Sequence, residues 1–500
     1  MEYSIKTRCH RLIKQMSKSE KRNFKLFAGR QGEESPLFVR LFDAMAAQKE
    51  PDEEALLREI AQGNATKLAN LKRHLYQQLL VSLRLIHLQK EEDLDVRRRV
   101  DFARILYSKG LVLDALRTLE KARDLADRYN FDYLLSEILE FQKLIEARHV
   151  TRSRQVKNKM DRLVEESQER AERNLRTSFQ SNINIQIQGY YILNGHARNQ
   201  VQREKFLEFW KVNRERFVGY PNSPPTFFEL ANASLASMWR NYILLDFSAA
   251  LEDAENCYNR FNLDQKMKVR DPDFFVRSIY YANAFSFLVG DERRANNYAD
   301  RLNEFYAARW ESLNRNSQST ALVYRQICRL NVHLTRRDWS VALEVINEML
   351  NDQVFEPGNL PAHRRNLIRY KFAAVYFALG DYAAADQQLQ DIQNSSTATL
   401  RDDLIINTRL MQAIGYLESG DFYLADYAID NLSRTVRRNH YAGKVHTLTL
   451  ATLRKLVKEK PADWPPLLEE LKSQLATIKH EPYEEKCLRF FEVIYWLEGR

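Results

Sequence analysis

Six times along this chain a turn residue is followed, five positions later, by alanine, and this spacing limits the possible folds more than any other feature. Gly380-Asp381-Tyr382 leads to Ala385, Gly420-Asp421-Phe422 to Ala425, and Gly290-Asp291 to Ala295. Three looser copies replace the glycine or the aspartate: Arg337-Asp338-Trp339 leads to Ala342, Leu245-Asp246-Phe247 to Ala250, and Gly110 to Ala115. From Leu245 onward the turns lie 45, 47, 43 and 40 residues apart. A recurrence of that length is the mark of stacked helix pairs.

Each residue type in the pattern has a physical task. Glycine at a helix C-terminus takes the left-handed conformation without a Cβ penalty, and the aspartate beside it caps the next helix. Alanine is small enough to let two helices approach closely. Apolar residues at helical spacing flank the turn, with Phe372, Val375, Tyr376 and Leu379 before Gly380 and Leu389 and Ile392 after Ala385. The motif predicts helical hairpins. It resembles the tetratricopeptide-repeat family, whose pattern places Gly-Asp-Tyr at the turn and alanine five residues on; the Gly380 and Gly420 copies fit best. The likeness covers residues 95 to 450, most closely 270 to 435. The period exceeds the usual 34 residues, which implies longer helices, and the proline that commonly closes a family repeat is mostly missing. The resemblance implies an all-α chain, a right-handed α-solenoid of TPR-like helix pairs preceded by a small helical N-terminal domain.

Between Gly110 and Leu245 the spacing leaves room for two more pairs, with turns near Thr151 and Gly195. Ile183, Ile185 and Ile187 alternate with polar residues as in a strand, yet Ile183, Ile187 and Tyr191 also form a helical stripe, and helix is expected over 181–188. Tyr220-Pro221-Asn222-Ser223-Pro224-Pro225 is the strongest break, followed by Pro357 to Pro361. The expected divisions are a basic helical domain over 1–92, helix pairs over 93–219 and 226–438, and capping helices over 439–500, two or three in number.

The first 30 residues carry nine basic side chains against Glu2 and Glu20, so most of the formal charge of +9 sits at this end. Ser17-Lys18-Ser19-Glu20 reads as a capping box ahead of Phe24 and Phe27. Leu68, Leu71, Leu75, Leu79 and Leu83 form one stripe of a helix over Lys67–His87. Arg11, Lys14, Lys18, Lys21, Arg22, Lys25, Lys67, Lys72 and Arg73 offer a basic contact surface. Nucleic acid or an acidic protein could use it, and nucleic acid is the weaker alternative, since any two helices joined by a short turn resemble a helix-turn-helix. A helical bundle ahead of such repeats resembles some bacterial regulators that bind a response regulator or DNA at one end and a peptide in the repeats, a likeness of architecture alone.

Composition fits this picture. Only 14 glycines and 12 prolines occur in 500 residues, below ordinary usage, so turns are few and helices long. No apolar run approaches the roughly 18 residues needed to span a bilayer, and mean hydropathy is −0.53. No membrane insertion is expected, and without a secretory leader pattern the expected location is cytoplasmic. Cys9, Cys257, Cys328 and Cys487 lie too far apart for a zinc or redox motif and read as buried thiols. No phosphate-binding glycine loop, nucleophile elbow or helical His pair occurs, and the histidines read as surface residues. No catalytic residue, metal or cofactor is expected.

Binding is the expected work of such a chain. The resemblance implies that the first helix of each pair lines a groove, so its open positions can be counted back from the turns. Thirteen residues before lie Arg97, Asn232, Arg277 and Tyr324; ten before, Tyr280 and Tyr370; six before, Arg104, Trp239 and Asn331; three before, Tyr107 and Tyr242. Tyr, Trp, Arg and Asn combine contact area with directional hydrogen bonds, as recognition surfaces require. The alternative for each is packing between neighbouring pairs. Leu410, Ile414 and Leu417 occupy the equivalent places after residue 400, where the terminal helices would cover them. The sequence thus predicts a scaffold or adaptor for a peptide, a helix or a protein surface.

Overall fold

The computed structural model describes residues 7–29, 36–88, 91–149, 158–215, 224–351, 360, 362–395, 402–438, 442–490 and 493–499. Regular structure among them is all helical, as the sequence predicts. The chain divides into two compact units, Met1–Ala171 and Glu172–Arg500.

The first unit holds α1 (Arg8–Gln15), α2 (Lys18–Gly29), α3 (Leu37–Ala47), α4 (Glu53–Glu59), α5 (Ala65–His87), α6 (Glu92–Ser108), α7 (Val112–Arg128) and α8 (Asp132–Arg148). The capping box forms: the Ser17 amide donates to Glu20 Oε2 at 2.7 Å, and the Glu20 amide to Ser17 Oγ at 3.2 Å. Helices α1 to α5 share one core in which Phe24 meets Phe42 with ring centroids 4.8 Å apart and Leu68, Leu75 and Leu79 close the far side. A separate core joins α6, α7 and α8 through Val96, Val100, Leu119, Leu135 and Ile138.

The boundary between the units falls within α9 (Lys159–Asn194), a single helix of 36 residues. This corrects the expectation of two ordinary pairs before Leu245, because no proline interrupts the segment and good helix formers fill it. The turn near Gly195 exists, with φ at 65°, whereas that near Thr151 lies outside the described residues. The isoleucines resolve as a helical stripe: Ile183, Ile187 and Tyr191 are buried while Ile185 is 68% exposed. The Pro357–Pro361 break and most of Tyr220–Pro225 also lie outside the described residues.

The second unit continues with α10 (Gln200–Glu215), α11 (Phe227–Ile243), α12 (Phe247–Leu263), the short α13 (Gln265–Arg270), α14 (Pro272–Val289), α15 (Glu292–Arg309), α16 (Arg315–Arg336), α17 (Trp339–Asn351), α18 (Ala362–Ala378), α19 (Tyr382–Gln393), α20 (Asp402–Glu418) and α21 (Phe422–Arg438). First helices α11, α14, α16, α18 and α20 pair with α12, α15, α17, α19 and α21, and each pair packs on the next. Helices α22 (Lys444–Leu456), α23 (Trp464–Ile478), α24 (Pro482–Phe490) and α25 (Val493–Glu498) close the array, four rather than two or three. The last two are too short to show a full helical stripe in sequence. Leu410, Ile414 and Leu417 share one core with Trp464, Cys487 and Trp496, so the terminal helices do cover that end.

All six turns share one backbone device. Gly110, Gly290, Gly380 and Gly420 lie at φ of 76° to 78°, and Leu245 and Arg337, which replace glycine, lie at 66° and 60°. In every copy the next amide donates to the carbonyl five residues back: Leu111 to Leu106, Asp246 to Asn241, Asp291 to Ser286, Asp338 to His333, Asp381 to Tyr376, and Asp421 to Tyr416, at 2.9 to 3.0 Å. This is the Schellman closure of a helix end. Asp246, Asp291, Asp381 and Asp421 then cap the following helix by accepting from the amide three residues on. The six alanines are at most 2% exposed. A Cβ on Gly380 would meet nothing within 4 Å, so Gly380→Ala tests the backbone term alone. It should cost about 1 kcal/mol and speed amide exchange over 362–393 several-fold, whereas Ala385→Leu, with no room between α18 and α19, should cost about 1–3 kcal/mol. Hydrogen–deuterium exchange of the full chain reads both.

Candidate functional site

The counted positions separate into three groups. On α6, Arg97 and Arg104 are exposed but engaged by α8: Arg97 donates to the Tyr133 hydroxyl at 3.3 Å, and Arg104 pairs with Glu137 at 3.1 Å and lies over the Phe141 ring. Tyr107 sets its ring edge-on to Phe141 and His149. These three serve contacts between neighbouring helices.

A second group is buried, which corrects the expectation of open positions. Tyr324 is 1% exposed, and Asn331 and Tyr370 are likewise enclosed. Helices of 17 to 22 residues change the angular register counted back from the turn, so thirteen, ten or six positions earlier can face the neighbouring first helix. Asn331 belongs to a polar ladder across α14, α16 and α18. Asn283 donates to the Ala295 carbonyl at 2.8 Å, Asn331 donates to Asn283 Oδ1 at 2.8 Å, and Lys371 Nζ donates to Asn331 Oδ1 at 2.6 Å while standing over the Phe287 ring. Neither Asn283 nor Lys371 was singled out by the turn count. Their only sequence signal is a polar residue inside an apolar helix.

The third group converges. Asn232 is half-buried and spends its amide on the Phe228 carbonyl at 2.9 Å. Next to it along α11, Trp239 lies between Tyr191 and Tyr242, with centroids 5.5 and 5.7 Å away, and Tyr281 follows at 6.4 Å. Tyr281 neighbours Tyr280, which packs on Tyr324 at 4.3 Å; the guanidinium of Arg364 lies 4.9 Å from the Tyr324 centroid. Both Arg277 and Arg364 act electrostatically on the Tyr324 and Tyr281 hydroxyls. One aromatic row thus crosses α9, α11, α14 and α16 and ends under two arginines. Tyr281 and Arg364 lie nine and sixteen residues before their turns, registers the count did not include.

Electrostatics mark the end of the row. Burial pushes the Tyr281 hydroxyl up to about 12, with the field of Tyr324 adding and those of Arg277 and Arg364 opposing; burial raises Tyr280 and Tyr324 too. All three stay protonated and can donate. None of their hydroxyls makes a hydrogen bond among the described residues, and neither Arg277 nor Arg364 meets a carboxylate there. The Trp239 indole nitrogen is buried and has no partner among the described residues.

The basic residues of the first unit divide differently. Lys14 donates to the Ala46 carbonyl at 3.0 Å, Lys25 pairs with Asp43 at 2.7 Å, Lys72 with Glu53 at 3.1 Å, and Arg73 reaches Asn70. Lys18 and Arg22 are exposed, Lys21 and Lys67 half-buried, and Arg11 is exposed on α1. All four cysteines are buried and unbridged, in keeping with the sequence. His10, His196 and His446 are buried, correcting the expectation of surface histidines; His446 accepts from the Gly443 amide and bonds Asn407. Among the described residues no helix is long and apolar enough to cross a membrane. Comparisons with protein-family models, with curated proteins and with solved structures return no match for this chain.

Lys371 gives the ladder a measurable signature. Burial of its amino group pushes its pKa down to about 7. Above that pH the folded chain releases a proton that the unfolded chain keeps up to the ordinary lysine range, so Lys371 makes stability rise with pH from about 7 upward and adds no slope below. Lys371→Met should therefore remove that upward contribution between about pH 7 and 8.5, a difference in which the titration of unfolded thiols, with pKa about 8.5, cancels because both chains share it. Denaturant unfolding of both chains at several pH values measures the difference.

Proposed function

We propose that this chain is a non-enzymatic scaffold or adaptor, a right-handed TPR-like solenoid that recognises a segment of another protein on the first-helix face running from Trp239 to Arg364. One observation carries the reading: this face holds aromatic surface together with hydrogen-bond donors that find no acceptors among the described residues. The Trp239 indole nitrogen is buried without an acceptor among the described residues, which is costly, and a partner supplying acceptors there offsets that cost on binding. Arg97, equivalent in position to Arg277, and Arg104 on the same helix are already spent on Tyr133 and Glu137 and make no such offer. Catalysis is disfavoured by the chemistry of the neighbours, since burial raises the pKa of the Cys328 thiol far above neutrality and leaves it unreactive.

A partner identified by affinity purification with the full chain, then purified and bound again, should lose at least tenfold in affinity to Arg277→Ala/Arg364→Ala. It should be unaffected by Arg97→Ala/Arg104→Ala. Circular dichroism checks that both variants fold. Equal affinity for the wild type and the Arg277/Arg364 variant would sink the assignment.

A further inference from the structure

The donor set at the end of the aromatic row specifies a partner chemistry. Five groups converge over α14, α16 and α18: the hydroxyls of Tyr280, Tyr281 and Tyr324 and the guanidiniums of Arg277 and Arg364. All are donors, and none has an acceptor among the described residues. Tyr324 is itself almost wholly enclosed. On the same helices Arg329, Arg336 and Arg369 each meet a carboxylate and Arg325 donates to Asn303 Oδ1 at 2.6 Å, while Arg365 meets no carboxylate among the described residues.

We propose that this face binds a phosphoryl group carried on a side chain of a partner protein, with Arg277 and Arg364 holding its charge and the tyrosine hydroxyls donating to its oxygens. The inference rests on the docking reading above and names the group recognised. A phosphoryl monoester brings three terminal oxygens and a charge of about −1.5 to −2, matching two guanidiniums and several neutral donors better than a carboxylate with two oxygens and a single charge. Nucleic acid fits less well, because the ring faces a base would stack on are already occupied: Tyr324 is covered by Arg364 and Tyr280, and Trp239 is packed among tyrosines. One carboxylate opposes the anion. Asp273 acts on Tyr324, with Oδ2 held by Asn316 at 2.6 Å and Oδ1 buried without a partner. Its charge would weaken binding of the anion.

The test titrates the full chain by calorimetry with peptide pools of random sequence around a fixed phosphoserine, phosphothreonine or phosphotyrosine, with the same pools lacking phosphate, and with inorganic phosphate as competitor. A phosphorylated pool should bind at least tenfold more tightly than its unmodified counterpart and be displaced by phosphate. Arg277→Gln and Arg364→Gln should each lose about tenfold, Tyr324→Phe less, and Asp273→Asn should gain several-fold. Equal binding of modified and unmodified pools, no binding of either, or binding indifferent to both arginine variants overturns the proposal. If a purified protein partner depends on Arg277 and Arg364 yet binds equally before and after phosphatase treatment, the docking reading stands and the phosphoryl reading falls. Loss of both dependences removes both.

Discussion

A single hydrogen bond, from the amide after each turn to the carbonyl five residues earlier, sets the geometry on which the helix pairs depend. It forms only when the turn residue enters the left-handed region, and it directs the next helix back along the first. Once that angle is set, the buried alanine decides how closely the two helices approach. The junction between α7 and α8 uses the same device, with Asn130 at φ 55° and the Phe131 amide donating to the Ala126 carbonyl at 2.8 Å. The closure therefore serves between pairs as well as within them. Leu245 and Arg337 show that the tertiary packing can impose the conformation on residues that resist it, at a cost of about 1–2 kcal/mol each.

This explains what the sequence made legible. The turn and its alanine are local, six residues long, and independent of what packs around them, so all six copies could be aligned from the chain alone. The helical stripe of Ile183, Ile187 and Tyr191 was readable for the same reason. Positions facing a neighbouring pair are not local. Whether Tyr324 lies open or enclosed depends on the length of α16 and on how α18 packs against it, and a count back from the turn carries neither quantity. Tyr280 and Arg277 were found by that count, whereas Tyr281 and Arg364 entered only through their contacts. The 36-residue α9 was hidden because spacing predicts how many residues a gap contains and not where its helices break.

The cluster at Tyr324 and the ladder at Asn331 lie on the same helices but treat polarity in opposite ways. In the ladder each amide and amine finds an acceptor inside the chain, with Lys371 completing the series. Around Tyr324 the donors are assembled without an acceptor among the described residues. Satisfied polar groups fix a core, while an unsatisfied set offers surplus hydrogen-bonding capacity to whatever approaches. The two arrangements occur within one helical span of each other, and the first holds steady the helices that present the second.

A stack of repeats ordinarily behaves as a one-dimensional chain in which each module feels only its neighbours and can fray alone. The Asn283–Asn331–Lys371 series alters that for three consecutive modules. Its bonds are directional and buried, so a slip of α16 by one residue against α14 would strand both asparagines at once. The ladder thus works as a dovetail joint: it couples three modules into one cooperative block and keeps their order and alignment from being exchanged.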